Sequence, residues 1–189
     1  FVRSDIAKSP NSKIEIIKTD FNNLEVHKNS IIGNDCFFCI GTTRKNTPDK
    51  KEYIKIEYSL PVEIAKIAKL NSVDSFIYVS SLGASANSSG LYLKNKGRAE
   101  QELIKLDFDK LSIIRPSILL GNRKENRIGE KIGTFLMQTL SPLLLGKIKK
   151  YKPIKVENVA KAMIIIANSK FKEKTFDSDQ LVNISKFYK

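Results

Sequence analysis

Apolar residues along this chain gather in short unbroken runs, separated by longer stretches in which they recur every three to four positions. Runs at 36–40, 76–80 and 111–115 are rich in Ile, Val and Phe with little alternation, the pattern of strands covered on both faces. A further run at 14–19 reads as a strand ending at Asp20, and Phe1, Val2 and Arg3 read as the end of another. Between the runs, 52–70 carries Ile56, Leu60, Ile64, Ile67 and Ala68 at helical spacing. Pro61 inside that stretch predicts a bend or a late helix start. Residues 92–106 place Ala99, Leu103 and Leu106 on one helical stripe, 131–145 is apolar and interrupted at Ser141 and Pro142, and 156–167 reads as a final helix. Such alternation of strand and helix predicts an α/β domain: a doubly wound parallel sheet with helices on both faces. The whole chain, 1–189, reads as one domain with a small loop region around 121–150.

Composition narrows the function classes. Hydrophobic residues make up 41% of the 189 positions and charged residues 28%, as in a globular domain. No run approaches the roughly 18 apolar residues of a membrane helix, so no membrane partner is expected. The N-terminus shows no export signal, which makes the cytoplasm the expected compartment. The formal net charge is +13. It comes from lysines spread along the whole chain, not from the clustered arginines and aromatics of a nucleic-acid reader, so no specific nucleic acid is expected either. Cys36 and Cys39 lie three apart in a strand-like run and would face opposite sides of the sheet. They are expected to be buried thiols, neither a disulfide nor a metal pair. His27 is the only histidine, which disfavours a Ser-His-Asp triad or a multi-histidine metal site.

In sheets of this kind ligands bind beyond the carboxyl ends of the strands. That singles out Arg3, Asp20, Gly41, Thr42, Thr43, Ser80, Ser81, Pro116, Ser117 and Ile118. One loop after Ser80 and Ser81 comes Tyr92-Leu93-Lys94-Asn95-Lys96, a Y-x-x-x-K at the start of a predicted helix. Residues four apart share a helix face. An ammonium beside a tyrosine favours its phenolate and draws its pKa down from about 10, making a usable proton donor or acceptor. Ser81, farther out at the strand tip than Ser80, is the better placed to hydrogen-bond a substrate carbonyl. A second match, Tyr151 to Lys155, contains Pro153 and does not begin a helix.

The order Cys39-Ile40-Gly41-Thr42-Thr43-Arg44, then Ser80-Ser81-Leu82-Gly83-Ala84, then Tyr92-Leu93-Lys94-Asn95-Lys96-Gly97, then Arg115-Pro116-Ser117-Ile118 resembles the short-chain dehydrogenase/reductase superfamily with its Rossmann fold. It is most similar to the atypical branch, among the small NAD(P)H-binding oxidoreductases related to the Tat-interacting protein. The resemblance implies that Ser81, Tyr92 and Lys96 are catalytic. It implies that Arg3 meets the 2′-phosphate of NADP, that Asp20 and Phe21 meet the adenine, and that Ile40, Gly41 and Thr42 lie along the dinucleotide. Ser80, Tyr92, Lys96, Pro116, Ser117 and Ile118 would complete the cofactor site, while Arg123 and Arg127 would lie in a substrate loop. NADP is the implied cofactor, with NAD as the alternative. The family opens with a strand, a G-x-x-G-x-x-G turn and a helix, and the chain as given starts beyond that segment.

The function expected on these grounds is an NADP-dependent oxidoreductase, or an epimerase using the same chemistry, on a small carbonyl or alcohol substrate. The alternative is a non-catalytic NAD(P)H-sensing regulatory or interaction module on the same fold. A monomer or a homodimer suits either.

Overall fold

The computed structural model describes residues 1–2, 11–121 and 146–188. Among these, β1 (Asp35–Phe38), β2 (Ser75–Val79), β3 (Lys110–Arg115) and a late strand, Thr175–Asp177, form one sheet in that order, with every pairing parallel. Two short strands, β4 (Leu119–Leu120) and β5 (Ile154–Lys155), pair separately, which makes Thr175–Asp177 β6. The helices are α1 (Lys50–Ile54), running through a π-helical turn at Lys55–Ser59 into α2 (Leu60–Leu70), then α3 (Leu91–Lys105), α4 (Val156–Ala167) and α5 (Ser178–Ser185). Short 3₁₀ segments occupy Leu24–Ser30 and Gly146–Tyr151.

β2 and β3 are buried on both sides, as their unalternating runs required, whereas in β1 Phe38 is buried and Phe37 is 44% exposed. Phe76, Tyr78, Leu111 and Ile113 point into one core with Ala65 and Ala68 of α2 and Ala99 and Leu103 of α3. Ile77 and Ile114, one position along each strand, point the other way into a core with Val159, Ala162, Met163 and Ile166 of α4 and Leu181 of α5. Alanines where helix meets sheet let the two layers approach closely.

Pro61 explains the π turn. A proline has no N–H, so the carbonyl of Glu57, four residues earlier, loses its α-helical donor. The chain absorbs the break by widening one turn, and the Leu60 N–H bonds the Lys55 carbonyl instead. Asp49 starts α1 by accepting the Glu52 N–H at 2.7 Å.

Two differences from the sequence pattern have physical causes. Residues 14–19 do not form a strand: they make a single parallel bridge between Val2 and Lys18, and Ile14 is 54% exposed. An apolar run becomes a strand only when a neighbour supplies a ladder, and among the described residues Val2 is its one bridge partner. The pattern also missed β6 and α5. Their signal was local: Asp177 and Gln180 form a capping box that starts α5.

Gly97 is where loop and helix come closest. A Cβ there would lie 2.2 Å from the Ser85 carbonyl carbon and 2.4 Å from the Ala86 nitrogen. The loop between β2 and α3 therefore lies on the helix backbone, tied by the Ser85 N–H to the Leu93 carbonyl at 3.1 Å. Gly97→Ala should push the loop off α3 and cost about 1–3 kcal/mol, the usual range for overpacking. Urea denaturation of the two forms measures it, and an unchanged midpoint would show that the loop yields freely.

Candidate active site

The carboxyl ends of β1, β2 and β3 deliver the residues that matter. Tyr92 and Lys96 lie one turn apart at the start of α3, whose first residues follow the β2 loop. Tyr92 is 40% exposed, whereas Lys96 is 4% exposed. The Lys96 Nζ donates to the Val79 carbonyl at 3.1 Å, at the last residue of β2, directly before Ser80 and Ser81. It sits 4.9 Å from the Tyr78 ring centre and 6.0 Å from that of Tyr92.

Lys96 is charge-balanced by a residue that the sequence reading did not single out. Glu57, in the π turn, is 1% exposed, and its Oε2 faces the Lys96 Nζ at 3.1 Å as an ion pair without hydrogen-bond angles. Its Oε1 accepts the Thr42 N–H at 2.5 Å. Leaving either partner of such a buried pair alone costs about 3–5 kcal/mol. A signal was available: Glu57 lies three residues before Leu60 and seven before Ile64, on the apolar stripe itself, where an unpaired charge is not tolerated. Glu57 also acts on its surroundings. Burial, then the Glu57 charge, pushes the Tyr53 phenol up to about 12, and the same two causes hold Tyr78 well above its usual range.

The two serines diverge. Ser80 is buried, and its hydroxyl donates to Glu100 Oε1, which also accepts from Arg115 Nε at 2.9 Å. Arg115 Nη2 closes the fork on Glu100 Oε2. Ser80 thus ties the tip of β2 to α3 and β3. Ser81 is half-buried, with only a long 3.4 Å contact from its hydroxyl to the Leu82 carbonyl.

Elsewhere, Asp20, Phe21 and Ile40 line one shallow cleft with Asn22, Ile56 and Leu60. The Asp20 carboxylate accepts the Asn22 N–H at 2.8 Å, a bond that holds its pKa below the usual carboxylate value. Phe21 takes a left-handed φ of 60° and is buried. Gly41 is exposed beside this cleft, and a Cβ on it would come within 3.2 Å of Glu57 Oε1. Pro116 is buried and Ile118 is exposed, while the Ser117 hydroxyl donates to the Lys152 carbonyl and its N–H bonds Ser178 Oγ at 2.6 Å. Ser117 therefore joins the end of β3 to α5. Arg3, Arg123 and Arg127 lie outside the described residues. Among the described residues no cluster of His, Cys, Asp and Glu could hold a metal ion, and no helix is long and apolar enough to cross a membrane.

No family model matches the chain. Over 173 residues it is 36% identical to "Protein FMP52, mitochondrial" of Candida albicans, an alignment taking in 85% of this chain and 73% of that protein. The chain belongs to the FMP52 family. It is also 37% identical over 112 residues to "Protein HTATIP2" of Rattus norvegicus, covering 59% of this chain and 46% of that protein. This agrees with the atypical short-chain dehydrogenase/reductase branch that the motifs resembled. Among solved structures it matches the epimerase Mth375 of Methanothermobacter thermautotrophicus at TM-score 0.63 and 15% identity, over 94% of this chain and 63% of that one. It matches MoeE5, in complex with UDP-glucose and NAD, at TM-score 0.59 and 12% identity, over 89% and 67%. These likenesses establish the Rossmann fold. The FMP52 relatives also correct the expected compartment: those of Candida albicans, Debaryomyces hansenii and Scheffersomyces stipitis are all named mitochondrial, not cytoplasmic. The alignment with the Debaryomyces relative spans 58% of its length.

The two thiols of this FMP52-family chain are free, with Cys36 half-buried and Cys39 exposed just past β1, so the expectation of two buried thiols holds for neither in full. Desolvation pushes Cys36 up to about 11, with Cys39 adding to the shift, and it raises Cys39 against the opposing charge of Lys96. Only the thiolate is a nucleophile, so the raised pKa suppresses Cys36 most at neutral pH. Iodoacetamide at pH 8 should label Cys36 of the folded protein far more slowly than Cys36 of the urea-unfolded chain, and its labelling should accelerate as pH approaches 11. Equal rates for folded and unfolded protein at pH 8, read by mass spectrometry, would contradict the assignment.

Proposed function

We propose that this chain is the catalytic core of a nicotinamide-dinucleotide-dependent oxidoreductase, or of an epimerase working by the same chemistry, acting on a small carbonyl or alcohol in a mitochondrial setting. The observation that carries the reading is the Tyr92–Lys96 pair on α3, with Lys96 anchored to the last carbonyl of β2 immediately before Ser81. The fold likeness to a protein solved with NAD supports the cofactor class.

The residues present suit a dinucleotide. The cleft mixes apolar Phe21, Ile40, Ile56 and Leu60, which suit the face of a flat ring, with polar Asp20, Asn22, Glu52 and Lys55, which suit its edge. Exposed Gly41 presents backbone with no side chain in the way. In this reading Asp20 and Phe21 hold the adenine end, Ile40, Gly41 and Thr42 run along the middle, and Pro116 and Ile118 flank the nicotinamide end. The bound dinucleotide supplies the two-electron donor or acceptor. The protein's own part is proton management and orientation. Ser81, whose hydroxyl has only a long contact of its own, hydrogen-bonds the substrate oxygen. Tyr92 gives a proton to that oxygen during reduction and takes it back during oxidation. Lys96 has three donors, one of them on Val79, and in this reading another serves a ribose hydroxyl. Ser80 and Ser117, whose hydroxyls are bonded to Glu100 and Lys152, serve by holding their strand ends. Preference for NADP rests on Arg3, and a substrate role for Arg123 and Arg127 rests on sequence alone.

Calorimetric titration of the full-length protein with NADPH and with NADH tests the reading. Binding of NADPH tighter than NADH, weakened selectively for NADPH by Arg3→Ala, is the expected result. With a panel of small aldehydes and ketones, Tyr92→Phe should lower kcat by a factor of about 10²–10⁴ while leaving dinucleotide affinity close to that of the native protein. A folded full-length protein that binds neither dinucleotide would end the oxidoreductase reading.

A further inference from the structure

Glu57 is a buried carboxylate that none of the chemistry above uses, yet it touches both halves of the candidate site. One oxygen holds the backbone N–H of Thr42, in the loop that follows β1, and the other faces Lys96 on α3. Thr42 and Lys96 are 54 positions apart in sequence, and Glu57 reaches both. Its placement is built in: the π turn ahead of Pro61 carries it, burial leaves it 1% exposed, and a Cβ at Gly41 would crowd its Oε1 at 3.2 Å. Lys96 in turn has its Val79 bond at the strand tip beside the serines.

We infer that Glu57 is a positioning residue that couples the Gly41–Thr42 loop to Lys96, so that the cofactor-facing backbone and the catalytic lysine hold their places together. The inference rests on the proposed function for its meaning, but the coupling itself is a property of the protein without ligand. A carboxylate shared by a hydrogen-bond donor and an ammonium charge holds each in a geometry that depends on the other. Removing the Lys96 charge lets the Glu57 carboxylate swing, and the Thr42 N–H loses its acceptor although Lys96 never touches it. Seating a dinucleotide against Gly41 and Thr42 then constrains the same carboxylate that orients the lysine. Tyr53, Tyr78 and Cys39 surround this group and feel its charges, but none of them bridges the two segments.

Amide NMR and calorimetry on the full-length protein decide it. In Lys96→Met the Thr42 amide should shift and exchange with solvent at least about tenfold faster, a loss of roughly 1.4 kcal/mol of local protection. In Lys96→Arg, which keeps the charge, most of the protection should return. Should Lys96→Met fail to fold, Lys96→Arg decides: it keeps the charge but displaces its centre, so the Thr42 amide should shift in its resonance while keeping most of its protection. NADPH affinity should fall about tenfold in Glu57→Gln and in Lys96→Met, and the double variant should be no weaker than the worse single, the mark of one shared interaction. A Thr42 amide indifferent to every Lys96 variant, or affinity losses that simply add, overturns the coupling. If the native protein binds no dinucleotide, the proposed function falls, while the Thr42 response still supports or overturns the coupling.

Discussion

The structure depends on one buried contact between opposite charges. Lys96 and Glu57 are both removed from water, and neither could be there without the other. Their separation is short enough that the attraction in a poorly polarisable interior offsets much of the lost hydration. What the pair adds is direction more than stability. A lysine in water sweeps through many rotamers, whereas this one is held by Glu57, by the Val79 carbonyl and by the face of Tyr78. A chemical site needs such restraint, because a proton donor displaced by a fraction of an ångström works poorly.

Around this pair the site is framed by side chains that bond away from it. The Glu100 carboxylate gathers Ser80 and Arg115, so the ends of β2 and β3 and the middle of α3 move as one body. Ser117 does the same between β3, α5 and the segment at Lys152. Adjacent serines therefore divide the labour: Ser80 turns inward to hold the frame and Ser81 stays accessible. A rigid frame carrying exposed functional groups at its strand tips is the usual arrangement of open α/β sheets.

Much of this was legible in the sequence because the strongest signals were strong for physical reasons. Strands buried on both faces must be apolar throughout, so β2 and β3 announced themselves, as did α3 and α4 through their periodicity, while β1 showed the same run of apolar residues although one of its faces is exposed. The motif order around Gly41, Ser81, Tyr92 and Pro116 pointed to the family that the relatives established. The failures are equally physical. Residues 14–19 have the composition of a strand, but composition says nothing about whether a neighbour will be present to pair with. β6 is three residues long, too short for any periodicity, and only its capping box betrays it. Ser80 and Ser117 keep their expected places at the strand ends, and only coordinates reveal that their hydroxyls also bond Glu100 and Lys152. Glu57 was passed over because a charged residue in a helix is ordinarily a solvated one. Its place on the apolar stripe, just before a proline, was the clue.

The π turn at Lys55–Ser59 has a consequence of its own. A π turn holds one residue more than an α turn, so it acts as a spacer in the angular sense: it rotates everything upstream by about 100° relative to a regular helix. Glu57 lies inside that widened turn, buried beside Ile56. Natural variation by insertion or deletion is generally confined to loops, but here a deletion inside a helix would turn α1 against α2 while Pro61 still denied the helix a regular bond. A lineage that deleted one position between 55 and 59 would have to find another counter-charge for the lysine, or bury a neutral residue in its place.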